Sequence, residues 1–280
     1  MKKKLVAFML VISMLAMAIV GGTLAYFTDT DEATNVFAIG NIAIDQNEWQ
    51  RDGEEIVEFE QDKNVVPAVL KYLTKSDVTV DGYTFKIRSL EGNYIDKIVN
   101  VTNTGSNLAY VRTIIAVPNM NGYDDTADAT HNPLHWNYLD ASDFGGEGWD
   151  WNGSNDAEVT EQLCYAQNVI IDGASYDIYV ATYNVEIASG DVTSPSMVGF
   201  YLDPTVDHDE NGYFFVDGNG EKQSLEEWMN DGSLKFLVAT QAVQADGFAE
   251  ALEGQDKIPH KALNAAFGAI TATNNPWVTP

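Results

Sequence analysis

His131 and His135 lie four residues apart, the spacing by which one face of a helix presents two metal ligands. Pro133 sits between them and no Glu follows His131, so neither an unbroken helix nor the HExxH metallopeptidase pattern is available. Both are expected to be loop histidines beside an aromatic patch. The run from Asp207 to Gly212 opens like a calcium loop, with oxygen donors at its first, third and fifth positions and glycine at the sixth. Its twelfth position, where a bidentate Glu should close the site, is Gly218. Asp203, Asp207, Asp209 and Asp217 therefore form at most a loose oxygen set, expected to be a solvated acidic turn that binds calcium weakly if at all. Trp149 and Trp151, in Gly148-Trp149-Asp150-Trp151-Asn152-Gly153, fall on one side of an extended chain. Such a pair serves either as a stacking surface for a sugar or partner or as cover for a core edge, and packing is the preferred reading. The lone Cys164 can form no intrachain disulfide and reads as a small buried hydrophobe. With no phosphate loop, nucleophile elbow or serine triad, the expectation is a non-enzymatic protein without a resident cofactor.

Charge narrows the partners. The 280 residues carry 15 Lys plus Arg against 42 Asp plus Glu, a formal charge of −27, which repels nucleic acid and anionic lipid alike. Hydrophobic residues still make up 45%, enough to bury a core, so the chain is not a disordered acidic tail.

The one concentrated basic block is N-terminal. Lys2, Lys3 and Lys4 precede sixteen uncharged residues from 5 to 20, then Gly21, Gly22, Thr23, Leu24 and Ala25. Basic head, short apolar stretch and small residues at the −3 and −1 positions read as a secretory signal over residues 1–25, cut between Ala25 and Tyr26. Its removal takes three lysines and no acid, leaving a charge of −30.

The mature chain is expected to divide into an N-terminal candidate donor strand, residues 26–45, and one β-sandwich domain, residues 46–280. Ten Asp-Gly or Asn-Gly pairs punctuate the chain, as hairpin turns require. Between them lie β-branched and aromatic runs at 83–88, 97–103, 108–117, 167–171, 176–187, 197–202, 213–216 and 235–243, which predict an all-β sandwich. Short helices are expected from Ser224 to Gly232 and from His260 to Phe267. Residues 119–156, rich in Asn, Asp and Gly yet holding three tryptophans, read as a long loop or insertion. Near the mature terminus, residues 35–44 form a β-capable segment with Val36, Ala38, Ile42 and Ile44 on one face and Phe37 and Ile39 on the other.

Two stretches carry a resemblance. The junction from Gly21 to Asp29, continued by Ala33-Thr34-Asn35-Val36-Phe37 and Gly40-Asn41-Ile42, resembles the SipW-dependent secreted proteins of Gram-positive bacteria, the family of the biofilm fibre protein TasA and of camelysin. Val101-Thr102-Asn103-Thr104-Gly105 followed by Ala109-Tyr110-Val111-Arg112 is similar to that family's strand-turn-strand core. The resemblance implies processing by a dedicated ER-type signal peptidase, a jelly-roll-type sandwich, and a place in the extracellular matrix or on the cell surface. It also implies self-association into a homopolymeric fibre in which residues 36–44 complete a neighbouring subunit, with a matrix polysaccharide or accessory matrix protein as further partner. Camelysin-like members are assigned metallopeptidase activity, but no zinc-ligand motif here receives it. A metal-dependent peptidase and a monomeric carbohydrate- or surface-binding module using Trp149 and Trp151 are the alternatives to a fibre subunit.

Overall fold

The computed structural model describes residues 28–31, 36–39, 42–60, 65–119, 133–151, 164–216, 220–225 and 235–278. Along the chain the strands are β1 (Thr28–Asp31), β2 (Val36–Ile39), β3 (Ile44–Asp52), β4 (Glu55–Glu58), β5 (Lys75–Val80), β6 (Tyr83–Arg88), β7 (Ile95–Asn103), β8 (Ala109–Pro118) and β9 (Leu134–Tyr138). They continue as β10 (Trp149–Asp150), β11 (Cys164–Ile171), β12 (Ala174–Tyr183), β13 (Met197–Leu202), β14 (Asp207–Asp209), β15 (Gly212–Val216), β16 (Lys222–Ser224) and β17 (Leu237–Gln244). Two helices follow, α1 (Phe248–Ala251) and α2 (Ile258–Phe267). The fold is all-β, as expected.

Two sheets face each other. One runs β1-β2-β17-β8-β12-β10, with β11 also paired to β12, and the other runs β4-β3-β7-β13-β9. Their inner faces meet in one core: Val111, Ile115, Ala181, Val238 and Ala242 from the first sheet, and Ile44, Val99, Val101, Met197 and Leu202 from the second. The expected run 83–88 is β6, whose side chains alternate, Phe85 and Ile87 buried and Thr84 and Lys86 exposed. The β5–β6 hairpin turns through Asp81-Gly82, both at positive φ as an Asp-Gly hairpin turn demands. It covers the outer face of the second sheet, burying Phe85 and Ile87 against Ile98, Val198 and Tyr201. Helix α2 covers the outer face of the first sheet, with Ala262 and Leu263 against Tyr110 and Val243.

Residues 133–151 depart from the expected loop, since they weave into both sheets. β9 forms the edge beside β13 and β10 pairs with β12. Their aromatic side chains explain the departure: Trp136 and Tyr138 pack against Trp151, and Trp149 against Tyr183, so the segment buries itself instead of looping through solvent. The expected helix from Ser224 to Gly232 lies mostly outside the described residues, and Ser224 itself ends β16. The second expected helix is α2 and starts two residues earlier than His260.

Candidate functional site

The first sheet completes itself at β17 in an unusual way. β17 pairs antiparallel with β8 along its whole length, Leu237 opposite Ala116 through Gln244 opposite Ala109. On its other side it pairs with β2 in parallel, Thr240 opposite Val36 through Val243 opposite Ile39. Every other pairing between named strands is antiparallel. β17 is buried on both faces, as its apolar sequence Leu-Val-Ala-Thr-Gln-Ala-Val-Gln requires of a strand with core on one side and α2 on the other. β2 and β1 then form a hairpin-like pair beyond it, Val36 opposite Asp31.

The segment 35–44 is therefore not one strand, which corrects the sequence expectation. Val36, Phe37, Ala38 and Ile39 belong to the first sheet, whereas Ile44 opens β3 of the second, opposite Asn103. Ile42 and Ile44 are buried in the core between the sheets. The change of sheet is imposed from outside the segment: the Gly105 amide donates to the Ala43 carbonyl at 2.8 Å. A Cβ on Gly105 would stand 2.5 Å from the Ala43 nitrogen, so only glycine lets the two backbones approach this closely. Asn103 builds the turn that delivers Gly105, its Oδ1 accepting from the Gly105 amide at 3.0 Å while its Nδ2 donates to the Asn107 and Ile187 carbonyls. The Asn103-Thr104-Gly105 motif thus clamps the root of the N-terminal strand. Sequence reading recognised the turn and missed the clamp, because its other half is far along the chain.

A polar strut ties the same region together. Thr240 Oγ1 of β17 donates to Gln46 Oε1 of β3 across the core at 2.7 Å. On the outer face, Arg112 of β8 is 1% exposed and donates from Nε to Gln241 Oε1 of β17, from one terminal nitrogen to Asn264 Oδ1 of α2 and from the other to the Gly268 carbonyl. His260 of α2 lies nearby, and burial, Arg112 and Lys257 together lower its pKa to about 4 despite Asp150.

The other candidate residues are placed apart from this edge. Trp149 and Trp151 are 1% and 3% exposed, with their indole N–H groups donating to the Ser194 and Leu139 carbonyls. They are core residues and offer no stacking surface, which corrects the ligand-surface alternative. His135 lies in strand β9 and not in a loop, stacked on Tyr201 and bonded through Nε2 to Asp203 Oδ2 at 2.8 Å. Burial raises the pKa of Asp203, but the Thr205 hydroxyl and amide and His135 outweigh it and hold the carboxyl below its ordinary value. Asp209 is engaged by the Asn211 amide and by Lys222 Nζ at 2.9 Å, and Asp207 by the His208 amide. Asp207 and Asp209 stand in β14, where Glu210-Asn211 makes the hairpin turn to β15. Asp217, His131 and the junction Ala25-Tyr26 with the rest of residues 1–25 lie outside the described residues, and of Cys164 only the backbone, at the start of β11, is described.

A two-sheet β-sandwich whose N-terminal strand completes the edge next to its last strand is the class these observations define. Residues 1–109 match the family model of the camelysin metallo-endopeptidases, which places β1 to β7 and the Asn103-Gly105 clamp within the matched part. The N-terminal part of the chain is thus camelysin-like, as the resemblance implies. No curated protein and no solved structure matches. The family description implies a metal, and the described residues bring together no donor set that fits one. Residues 1–109 contain neither histidine nor cysteine. Among the described residues no three His, Cys, Asp or Glu side chains come together to hold an ion. Among the described residues, too, no helix is long and apolar enough to cross a membrane.

Proposed function

We propose that the protein is a secreted structural subunit of an extracellular matrix or surface fibre, assembling by β-strand complementation. The parallel pairing of β2 with β17 is the observation that carries this reading. No tight turn joins the two strands, since about two hundred residues separate them in sequence, so a β2 from a second chain can offer β17 the same backbone ladder. Export through the signal at 1–25 and cleavage by an ER-type peptidase would free this segment outside the cell. Matrix polysaccharide or an accessory matrix protein would then be met by an acidic polymer. The metal-dependent peptidase reading takes its support from the family description alone.

The test compares residues 26–280 with residues 42–280 by electron microscopy and sedimentation. The shorter protein keeps Ile42 and Ile44 in the core while lacking β1 and β2. It is expected to stay monomeric and to bind a synthetic peptide of residues 26–41 added in trans. Filaments from 42–280 at the rate of the longer protein would rule the mechanism out. Casein cleavage by 26–280 that a chelator abolishes would favour the peptidase instead.

A further inference from the structure

Lys97 of β7 carries a charge in a place that does not suit one. Its side chain is 5% exposed, its Nζ sits 4.3 Å from the centre of the Phe59 ring, and its ion-pair partner is Glu48 of β3, itself 22% exposed. Glu48 stands opposite Val99 in the β3–β7 ladder, so Lys97 is its diagonal neighbour on the same face, the face turned toward the other sheet. Nζ and Glu48 Oε2 are in direct contact. The other carboxylate oxygen, Oε1, accepts from Gln46 Nε2 at 3.2 Å. The Gln46 amide is itself oriented by the hydrogen bond from Thr240 Oγ1 to its Oε1.

We infer that Lys97 and Glu48 condense into an isopeptide bond, an ε-(γ-glutamyl)lysine cross-link between β3 and β7. Burial lowers the pKa of Lys97 against the opposing pull of Glu48, which favours passage of one ammonium proton to Glu48 Oε2. That transfer turns the ion pair into a neutral amine beside a neutral carboxylic acid. Nζ then attacks Cδ, and the carbonyl electron pair moves onto Oε1, where the Gln46 N–H meets the developing charge. A second proton passes from nitrogen to Oε2, the C–Oε2 bond breaks and one water leaves, so the balance closes without any co-reactant. Condensation removes both charges from a largely dry site, relieving the desolvation cost that an ion pair there must bear. Proximity does the rest, since the two groups are held side by side by a strand ladder. The cross-link staples β3, the strand that directly follows the sheet change at Ala43, to its neighbour β7. A pull on the N-terminus would then reach a covalent stop before it could peel β3 away.

Tryptic mapping of the purified, denatured full chain decides the matter. The expected product is the peptide ending at Arg51 joined to residues 89–112, uncut after Lys97 and lighter than the two parts by one water. A Lys97→Arg variant should yield only unlinked peptides, and Gln46→Leu, with unchanged circular dichroism, a severalfold smaller linked fraction after refolding. Efficient tryptic cleavage after Lys97 in the native sequence, giving free peptides 89–97 and 98–112, would overturn the cross-link. Equal linking in Gln46→Leu would overturn the step as written.

Discussion

Gly105 tests the clamp most directly because the space for its missing side chain is occupied by backbone. A methyl group there meets the Ala43 nitrogen at 2.5 Å and the Ile42 Cα at 3.0 Å, and neither can rotate away. Gly105→Ala should therefore cost about 1–3 kcal/mol, the range for forced overpacking, read as a lower midpoint in urea denaturation. His260 makes a second residue-scale prediction. Its pKa is about 4 in the folded protein, whereas the unfolded chain holds it near 6.5. Between those values the unfolded state binds a proton that the folded state refuses, so stability falls as pH drops through that window and levels off below it. His260→Gln should flatten the fall by about 2 kcal/mol, screening included, seen as a smaller difference in urea midpoint between pH 7 and pH 4.5. Local sequence showed Asn103-Thr104-Gly105 as a turn and Trp149 and Trp151 as amphipathic. It could not show that Gly105 meets Ala43 or that both indoles face inward, because those facts depend on residues remote in the chain.

Elements were legible where apolar residues dominate the pattern. The boundaries of β13 match the expected 197–202, and β7, β8, β12 and β17 lie within a few residues of their expected runs. β3 was not visible: Ile-Asp-Gln-Asn-Glu-Trp-Gln-Arg-Asp has too few apolar residues to declare a strand, and only its pairing with β4 and β7 makes it one. β5 and β14 were hidden for the same reason, their sequences being mostly polar. Helix α2 was legible as the expected run from His260 to Phe267, but the pin holding it was not. Arg112 reaches Gln241, Asn264 and Gly268 from separate nitrogens of one planar fork, a geometry that lysine cannot reproduce. Arg112→Lys should destabilise the protein by about 1.5–3 kcal/mol, the range for losing hydrogen bonds made by a charged group. Hydrogen exchange should speed up first across residues 258–267, ahead of β7 and β13. Exchange that accelerates uniformly over the sandwich would show that α2 is not a separate unit resting on Arg112.

For the whole molecule, the net charge sets the terms on which one chain can meet another. A chain of residues 26–280 carries −30, and the proposed β-strand complementation would have to bring two such bodies into contact. Repulsion between them extends over a Debye length, about 30 Å at 0.01 M salt and about 8 Å at 0.15 M. Backbone pairing of β2 with β17 operates at contact distance and is nearly indifferent to salt. Ionic strength should therefore act on the rate of encounter and leave the structure of the joined edge unchanged. Fibre growth from residues 26–280, followed by light scattering, should be slow at 0.01 M sodium chloride and rise by about ten-fold or more at 0.15 M, in line with the range of electrostatic effects on association rates. The same experiment separates screening from specific cation binding. If charge acts only through screening, magnesium and calcium chloride matched to sodium chloride in ionic strength should differ from each other little. A calcium-specific acceleration that Asp209→Ala removes would instead assign the acidic β14 region a role in assembly. Growth that is fastest at the lowest salt would contradict the electrostatic account altogether, since two acidic bodies cannot be drawn together by removing the ions that screen them.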